Sequence, residues 1–580
     1  MTTSVFGSLP AGISATLDRL DAEKFSQRLW EHDATLWKAE PEHQKIIHNA
    51  LGWMTVAGLM LEHVDDLLGF VEGVRQAGFK HAVVLGMGGS SLCPDVCRAT
   101  FGTSPGYLQL QILDSTVPAR ILSVEKALNL AHTLFMVSSK SGGTVEPLSF
   151  FKYFFDRVRA VKGDAAAENF VAITDPGTSL EKLAREHNFR HIFPGQPDIG
   201  GRYSALSNFG LVPAALEGVD VRGLLQRAKQ AARDSGADVG AEENPGVSLG
   251  VIMAEAALEG RDKLTLVVSP GVQTIGDWLE QLIAESTGKE GKGVIPVAGE
   301  ELGDPTVYGN DRLFVRLQLR GEANPAIDLK LRALGQAGHP VVRIELQDKL
   351  ELGEEFLRWE IATATAGSLL GIDAFDQPNV QESKDNTNRL LGQFKAEGKL
   401  PDESPQIATD AVHFYGPSPA RGGSAEDYLT EFLGQRKVNE DYVAIMAYLE
   451  STTEHDDALK AIRMALRDGL GVATTLGYGP RFLHSTGQLH KGGPNHGLFI
   501  QITGEDAEAL PIPGEPYSFS VLKRAQALGD LQSLQSKNRR VIRAHLAAND
   551  GEGLAALSAL VAGAVKRVGN LAASQVAGRK

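Results

Sequence analysis

From about Ala15 to Glu72 the apolar positions Leu17, Leu20, Phe25, Leu29, Trp30 and Leu36 recur at helical spacing, which predicts a helical lead-in with one buried face. From His81 the pattern changes. Short apolar runs, AVVLG from 82, LQLQILD from 108, TLFMVSS from 133 and FVAITD from 170, alternate with amphipathic stretches, as expected of a parallel sheet flanked by helices. Ligands of such sheets bind at the C-terminal strand ends. A second series runs through LTLVVSP from 264, GVIPV from 293, LFVRLQL from 313 and PVVRIEL from 340. The late runs YVAIMAYL from 442, GVATTLGY from 471 and GLFIQIT from 497 are expected to complete this second sheet, and Leu554 to Val568 reads as a closing helix. The stretch Ser235 to Gly246, rich in Gly, Ala, Asp and Glu, is the expected boundary between the series. The expected class is therefore α/β, with a helical lead-in (1–75), two three-layer α/β/α units with parallel sheets (76–240 and 241–545) and a helical tail (546–580). The two series hint at a distant duplication.

Composition narrows the function classes. At 580 residues the chain is too long for one ordinary domain, and 43% hydrophobic with 22% charged residues describes globular protein with cores to bury. The net charge of -15 opposes nucleic-acid and anionic-membrane partners, so an anionic ligand needs a local site that works against the global field. Cys93 and Cys97 are the only cysteines. Their spacing puts them on one side of a helix, as buried thiols in a reducing compartment, and no further ligands stand nearby for a metal. Met1 to Arg19 has no basic region followed by an apolar core, and no stretch approaches 18 uninterrupted apolar residues. A cytoplasmic protein is expected, without metal or cofactor.

Two turns carry phosphate chemistry. GMGGSSL, Gly86 to Leu92, follows the run AVVL and precedes a predicted helix; its glycines let backbone N–H groups approach an anion. The spacing is not G-x-G-x-x-G and no Walker lysine follows, which disfavours nucleotides. SSKSGGT, Ser138 to Thr144, also lies between a strand and a helix and offers the hydroxyls of Ser139, Ser141 and Thr144. Either turn also fits a tight turn or helix cap without a ligand. Further along, GDWLEQLIAESTGKEGKG sets Gln281 and Glu285 one helical turn apart. By position alone Glu285 reads as a solvated surface residue. Arg202 in GGRYS, Lys384 in FDQPNVQESKDN and His490 in HSTGQLHKGGPN sit in segments rich in Gly, Asn, Gln and Ser, the composition of functional loops.

Taken together, GMGGSSL, SSKSGGT, GGRYS, Gln281 with ESTGKEGKG, FDQPNVQESK and H-x-G-G-x-N resemble the phosphoglucose isomerase family, in particular the isomerase portion of bacterial transaldolase/phosphoglucose isomerase fusions. A transaldolase barrel needs roughly 250 further residues, for which the lead-in leaves no room. The resemblance implies two sugar-isomerase (SIS-type, flavodoxin-like) units and isomerisation between glucose 6-phosphate and fructose 6-phosphate. It implies that Gly89, Ser90, Ser139, Lys140, Ser141 and Thr144 hold the sugar phosphate. Glu285 would move the proton between C1 and C2, Arg202 would steady the cis-enediol charge, and Gln281 would position the carboxylate or the substrate. His490 and Lys384 would open the ring. In the family that histidine comes from the neighbouring subunit, so a homodimer with shared sites is expected. The family's histidine segment precedes its lysine segment, whereas Lys384 here precedes His490; the neighbouring STGQ draws attention to His484 as the other candidate. Mannose 6-phosphate as a second substrate, or a non-catalytic phosphosugar sensor, are the alternatives.

Overall fold

The apolar runs become strands wherever a run of four to eight residues is closed by a turn, and the first strand, which the sequence pattern does not signal, is β1 (Thr3–Phe6). The computed structural model describes residues 3–7, 11–420 and 422–577. Helices Ile13–Ala22, Phe25–Trp30, Pro41–His48 and Val56–Gln76 form the expected lead-in. Five strands follow: β2 (His81–Gly86), β3 (Gln109–Leu113), β4 (Thr133–Ser138), β5 (Phe170–Thr174) and β6 (His191–Pro194). They build a parallel sheet in the order β3-β2-β4-β5-β6. Each crossover is helical, so both faces are covered and every residue of β4 and β5 is buried.

The second sheet contains β7 (Lys263–Val268), β8 (Ile295–Val297), β9 (Arg312–Leu319) and β10 (Val341–Leu346), all parallel, with β1 added antiparallel to the β10 edge. The late strands do not join it. They form a third sheet from β11 (Ile407–Ala408), β12 (Val412–Tyr415), β13 (Tyr442–Tyr448), β14 (Ala473–Tyr478), β15 (Gly497–Gly504) and β16 (Arg540–Leu546), in the order β11-β12-β16-β15-β13-β14. The parallel α/β/α class holds, but the expectation that these strands complete the second sheet is corrected. Periodicity reports that a run is a strand; only long-range pairing reports which sheet it enters. Within each sheet the first parallel strand is central, the second lies on one side of it and the third on the other, so one winding recurs three times.

The expected boundary at 235–246 separates β2–β6 from β7–β10, yet a common core crosses it. Val84 and Val171 of the first sheet, Leu264 and Val315 of the second, and helices Val56–Gln76, Pro245–Leu258 and Leu352–Leu370 share one apolar cluster. The opposite face of the first sheet packs Phe150 and Phe154 against Phe519, Leu522 and Leu528 from helix Phe519–Ser536, which belongs to the third unit. The tail helix Asp550–Ala577 is apolar because Leu554, Leu557, Val561, Ala564 and Val568 line the third core. Its segment Asp550–Leu571 is, by length and composition, the one stretch among the described residues apolar enough to cross a membrane, and that packing accounts for its composition. Cys93 and Cys97 are buried free thiols on helix Leu92–Phe101, as expected.

Candidate active site

In the first sheet, β2 and β4 are the neighbours from which the winding departs in opposite directions, and Gly86 pairs with Ser138 at their C-terminal ends. That is where a crevice opens in a doubly wound sheet. Both phosphate-type turns leave from these two residues, so topology sets GMGGSSL beside SSKSGGT. Met87 is followed by a tight turn, Gly88–Ser90, and helix Leu92–Phe101. A Cβ on Gly89 would stand 1.9 Å from the carbonyl oxygen of Gly201, so only glycine lets the turn carrying Arg202 pack here. In the second loop, Thr144 precedes helix Val145–Lys162 but does not cap it; its hydroxyl meets that of Ser139 at 2.9 Å. Capping therefore does not explain the hydroxyls. Lys140 pairs with Asp175 and donates to the Gln196 carbonyl at 3.1 Å.

Helix Ile275–Thr287 brings Glu285 to the same crevice; it is buried on nearly every side, and the Glu285 side chain is only 12% exposed. This overturns the surface expectation. Gln281 Nε2 donates to Glu285 Oε2 at 3.1 Å and to the His484 carbonyl at 2.7 Å. The Arg202 guanidinium is buried and braced: Nε donates to Ser286 Oγ at 2.7 Å, Nη1 to Gln377 Oε1 at 3.0 Å, and Nη2 to the carbonyls of Ala374 and Asp376. Nη1 lies 3.4 Å from Glu285 Oε1. Behind it, Lys289 is pushed down to about 8 by burial and by Arg202, against the pull of Asp376 at 2.8 Å. The same Asp376 and Asp373, with His43, are the one group among the described residues whose ligand atoms gather as a metal would need, and Lys289 already occupies Asp376.

The third unit supplies the histidine. After β14, the turn Arg481–His484 is pinned to the first unit by Arg481, which pairs with Asp95 and Asp114 at 3.0 Å each. His484 Nε2 donates to Glu146 Oε1 at 2.9 Å. Burial alone would raise the Glu146 carboxyl, but the His484 charge and hydrogen bond, a backbone N–H and the Lys384 charge hold it below the ordinary glutamate value. His490, by contrast, is 3% exposed, with its ring against Phe499 (centroids 5.0 Å apart) and Phe482. Burial holds it neutral, with its pKa far below the usual histidine value. A side chain so enclosed does not face the cavity, whereas His484, the other candidate, does. The G-G-P-N context that favoured His490 ends the short helix Gly487–Gly492 and forms the turn that leads toward β15.

These groups line one cavity of about 310 Å³: Gly89, Ser90, Ser139, Lys140, Ser141, Thr144, Arg202, Gln281, Glu285, Lys384 and His484 all face it. Sequence reasoning missed Gln377 and Glu146. Gln377 stood inside the quoted FDQPNV and could have been found there. Glu146 lies in the first turn of a helix with no local signal for this role, and only its partner from 338 residues away reveals it.

Fold and cavity together define a doubly wound α/β protein in which two glycine and serine turns, a carboxylate, a guanidinium and an imidazole face one crevice at the strand ends. A model of the phosphoglucose isomerase family matches residues 60–299. A glucose-6-phosphate isomerase of Trichormus variabilis is 30% identical over 409 residues, 62% of this chain and 76% of that one. In fold, the chain is similar to a hypothetical protein of Thermus thermophilus (TM-score 0.56, 24% identity, 67% of this chain and 100% of that one). It is also similar to a glucose-6-phosphate isomerase of Chlamydia trachomatis (TM-score 0.51, 21% identity, 64% and 78%). The chain belongs to the phosphoglucose isomerase family.

Proposed function

We propose that this cavity interconverts glucose 6-phosphate and fructose 6-phosphate, with Glu285 as the base. The observation that carries this is the convergence of both phosphate-type loops, Glu285, Arg202, Lys384 and His484 on one cavity. With the phosphate held by Gly89, Ser90, Ser139, Lys140, Ser141 and Thr144, the sugar's reacting end lies toward Glu285. His484 and Lys384 exchange protons with the ring oxygen and the C1 hydroxyl, giving the open aldehyde. Glu285 removes the C2 proton, and the electron pair moves to form the C1–C2 double bond of a cis-enediolate. The buried Arg202 guanidinium stands where that negative charge develops, in a site too enclosed for water to screen it. The proton on O2 passes to O1, the C2–O2 electrons form the new carbonyl, and Glu285 returns its proton to C1 as the double bond is given up, leaving the ketose. Gln281 holds the carboxylate for both transfers.

The expected homodimer would pair two such sites rather than share them, since His484 already lines the cavity from its own chain. The site proposed here draws its whole residue set from one chain, with the third unit supplying His484. A cytoplasmic setting is part of the proposal and agrees with two unpaired cysteines.

Coupling to glucose-6-phosphate dehydrogenase, with fructose 6-phosphate as substrate, measures the reaction. Glu285→Gln keeps the shape but cannot accept a proton, so kcat is expected to fall by at least about 10², the low end for a general base. Deuterium incorporation at C1 of fructose 6-phosphate in D₂O should fall with it. A variant that exchanges C1 hydrogen at the wild-type rate would remove Glu285 from the chemistry.

A further inference from the structure

Behind His484 the polar chain continues away from the cavity into the contact between the first and third units. Glu146 Oε1, which accepts from His484, also accepts from Gln526 Nε2 at 2.7 Å. The Thr116 hydroxyl in turn donates to Gln526 Oε1 at 2.8 Å. Thr116, Glu146 and Gln526 are 0%, 5% and 3% exposed. A hydroxyl that gives its proton to the amide oxygen fixes which end of the amide faces Glu146, so the carboxylate meets an N–H and not a second oxygen. Gln526 comes from helix Phe519–Ser536 and Thr116 from the segment after β3, so each end of the relay is held by a different unit.

We infer that Gln526, oriented by Thr116, is a positioning residue for ring opening: it holds the Glu146 carboxylate so that His484 keeps Nε2 turned inward and offers Nδ1 to the sugar. This rests on the proposed ring-opening role of His484. The chemistry requires such a holder. A buried carboxylate with a single partner can rotate or take up a proton, and either event releases the imidazole. Two donors on one oxygen oppose both. The titratable groups facing Glu146 are His484 from the turn after β14, Lys384 from helix Pro378–Glu397 and Tyr448 at the end of β13, whose buried hydroxyl has no hydrogen-bond partner. Of the side chains hydrogen-bonded to Glu146, Gln526 is the one whose own charge does not change with pH.

Gln526→Leu removes the donor at nearly constant volume. Expected are a fall in kcat of about tenfold with cyclic sugar phosphates, and an acid limb of kcat moved to higher pH, because the Glu146 anion has lost a donor. The affinity for an acyclic phosphorylated sugar acid, which needs no ring opening, should change by less than about twofold. Gln526→Glu sets a second carboxyl against Glu146 and should move the acid limb further in the same direction. Thr116→Val, which frees the amide to turn over, should produce a smaller change of the same sign and carries these readouts if the Gln526 variants do not fold. His484→Asn separates the two ideas. If it turns over like the wild type, ring opening by His484 fails, and this inference with it. If it is inactive while both Gln526 variants keep the wild-type kcat and acid limb, the role of Gln526 alone is overturned. Equal losses of kcat and sugar-acid affinity, with an unmoved acid limb, would also overturn it, since they describe a merely structural contact.

Discussion

Two histidines six residues apart show how little a residue's type says about its work. His484 stands on a turn at the cavity with a carboxylate behind it, and His490 stands on the following helix, Gly487–Gly492, with aromatic rings around it. His484→Asn is expected to lower kcat by about 10² or more, since an acid–base group is lost. His490→Phe fills the same apolar space and should leave kcat near the wild-type value. Its effect falls on stability. Because burial depresses the His490 pKa in the folded state, the unfolded chain binds the extra proton more readily. His490 therefore weakens the fold as pH falls below the free-histidine range, and the stability present above that range is lost on the way down. Melting temperatures at pH 7.5 and pH 5 should differ less for His490→Phe than for the wild type. An equal difference would mean that the buried imidazole is charged or solvated at pH 5.

Among the elements, the helix Ile275–Thr287 does two jobs, carrying Gln281 and Glu285 on one face and ending against the third unit. A Cβ on Gly288, the residue that closes it, would stand 2.4 Å from Leu489 Cα and 2.7 Å from the Ala284 carbonyl oxygen. Helix Gly487–Gly492 can seat only on a bare backbone at this point, and seating it fixes the turn that bears His484. Gly288→Ala should thus cost about 1–3 kcal/mol of stability by overpacking. It should also lower kcat while leaving the affinity for a phosphorylated sugar acid near wild type, because the phosphate loops belong to other elements. Calorimetry and steady-state kinetics measure both, and unchanged kcat alongside the lost stability would show that His484 is positioned independently of this contact. The two glycine and hydroxyl turns were legible as strand, turn and helix because that signal is local. Glu285 was legible as a motif but not as an environment, since the burial of its helix depends on Trp278 meeting Phe356 and on units far apart in sequence.

For the whole molecule, the third sheet changes which groups one chain brings to the cavity. The family resemblance gave the histidine to a neighbouring subunit, while here the lysine segment precedes the histidine segment because the histidine rides on a later unit folded back over the first. Arg481 to Asp95 and Asp114, and His484 and Gln526 to Glu146, make that return contact, while Gln488, donating to the Gly288 carbonyl at 3.0 Å, ties the same segment to the second unit. With Glu285 and His484 in one chain, a mixture of Glu285→Gln and His484→Asn proteins should regain no activity under conditions that exchange subunits. Recovery approaching one working site per mixed pair would show that the histidine crosses between chains after all.

The sequence by itself determined the strands and helices of the α/β pattern, the two loops each at the end of its own strand, and the residue types of the chemistry, because each is written in a window of a few residues; that the two loops lie side by side came from strand order. It determined the lead-in helices and the buried thiols for the same reason. Only the tertiary structure decided that the late strands make a third sheet, that β1 joins an edge more than 330 residues away, and that His484 and not His490 meets Glu146. Sheet membership, burial and partnership are set by which distant surfaces fit, and packing of that kind leaves no mark on the local order of residues.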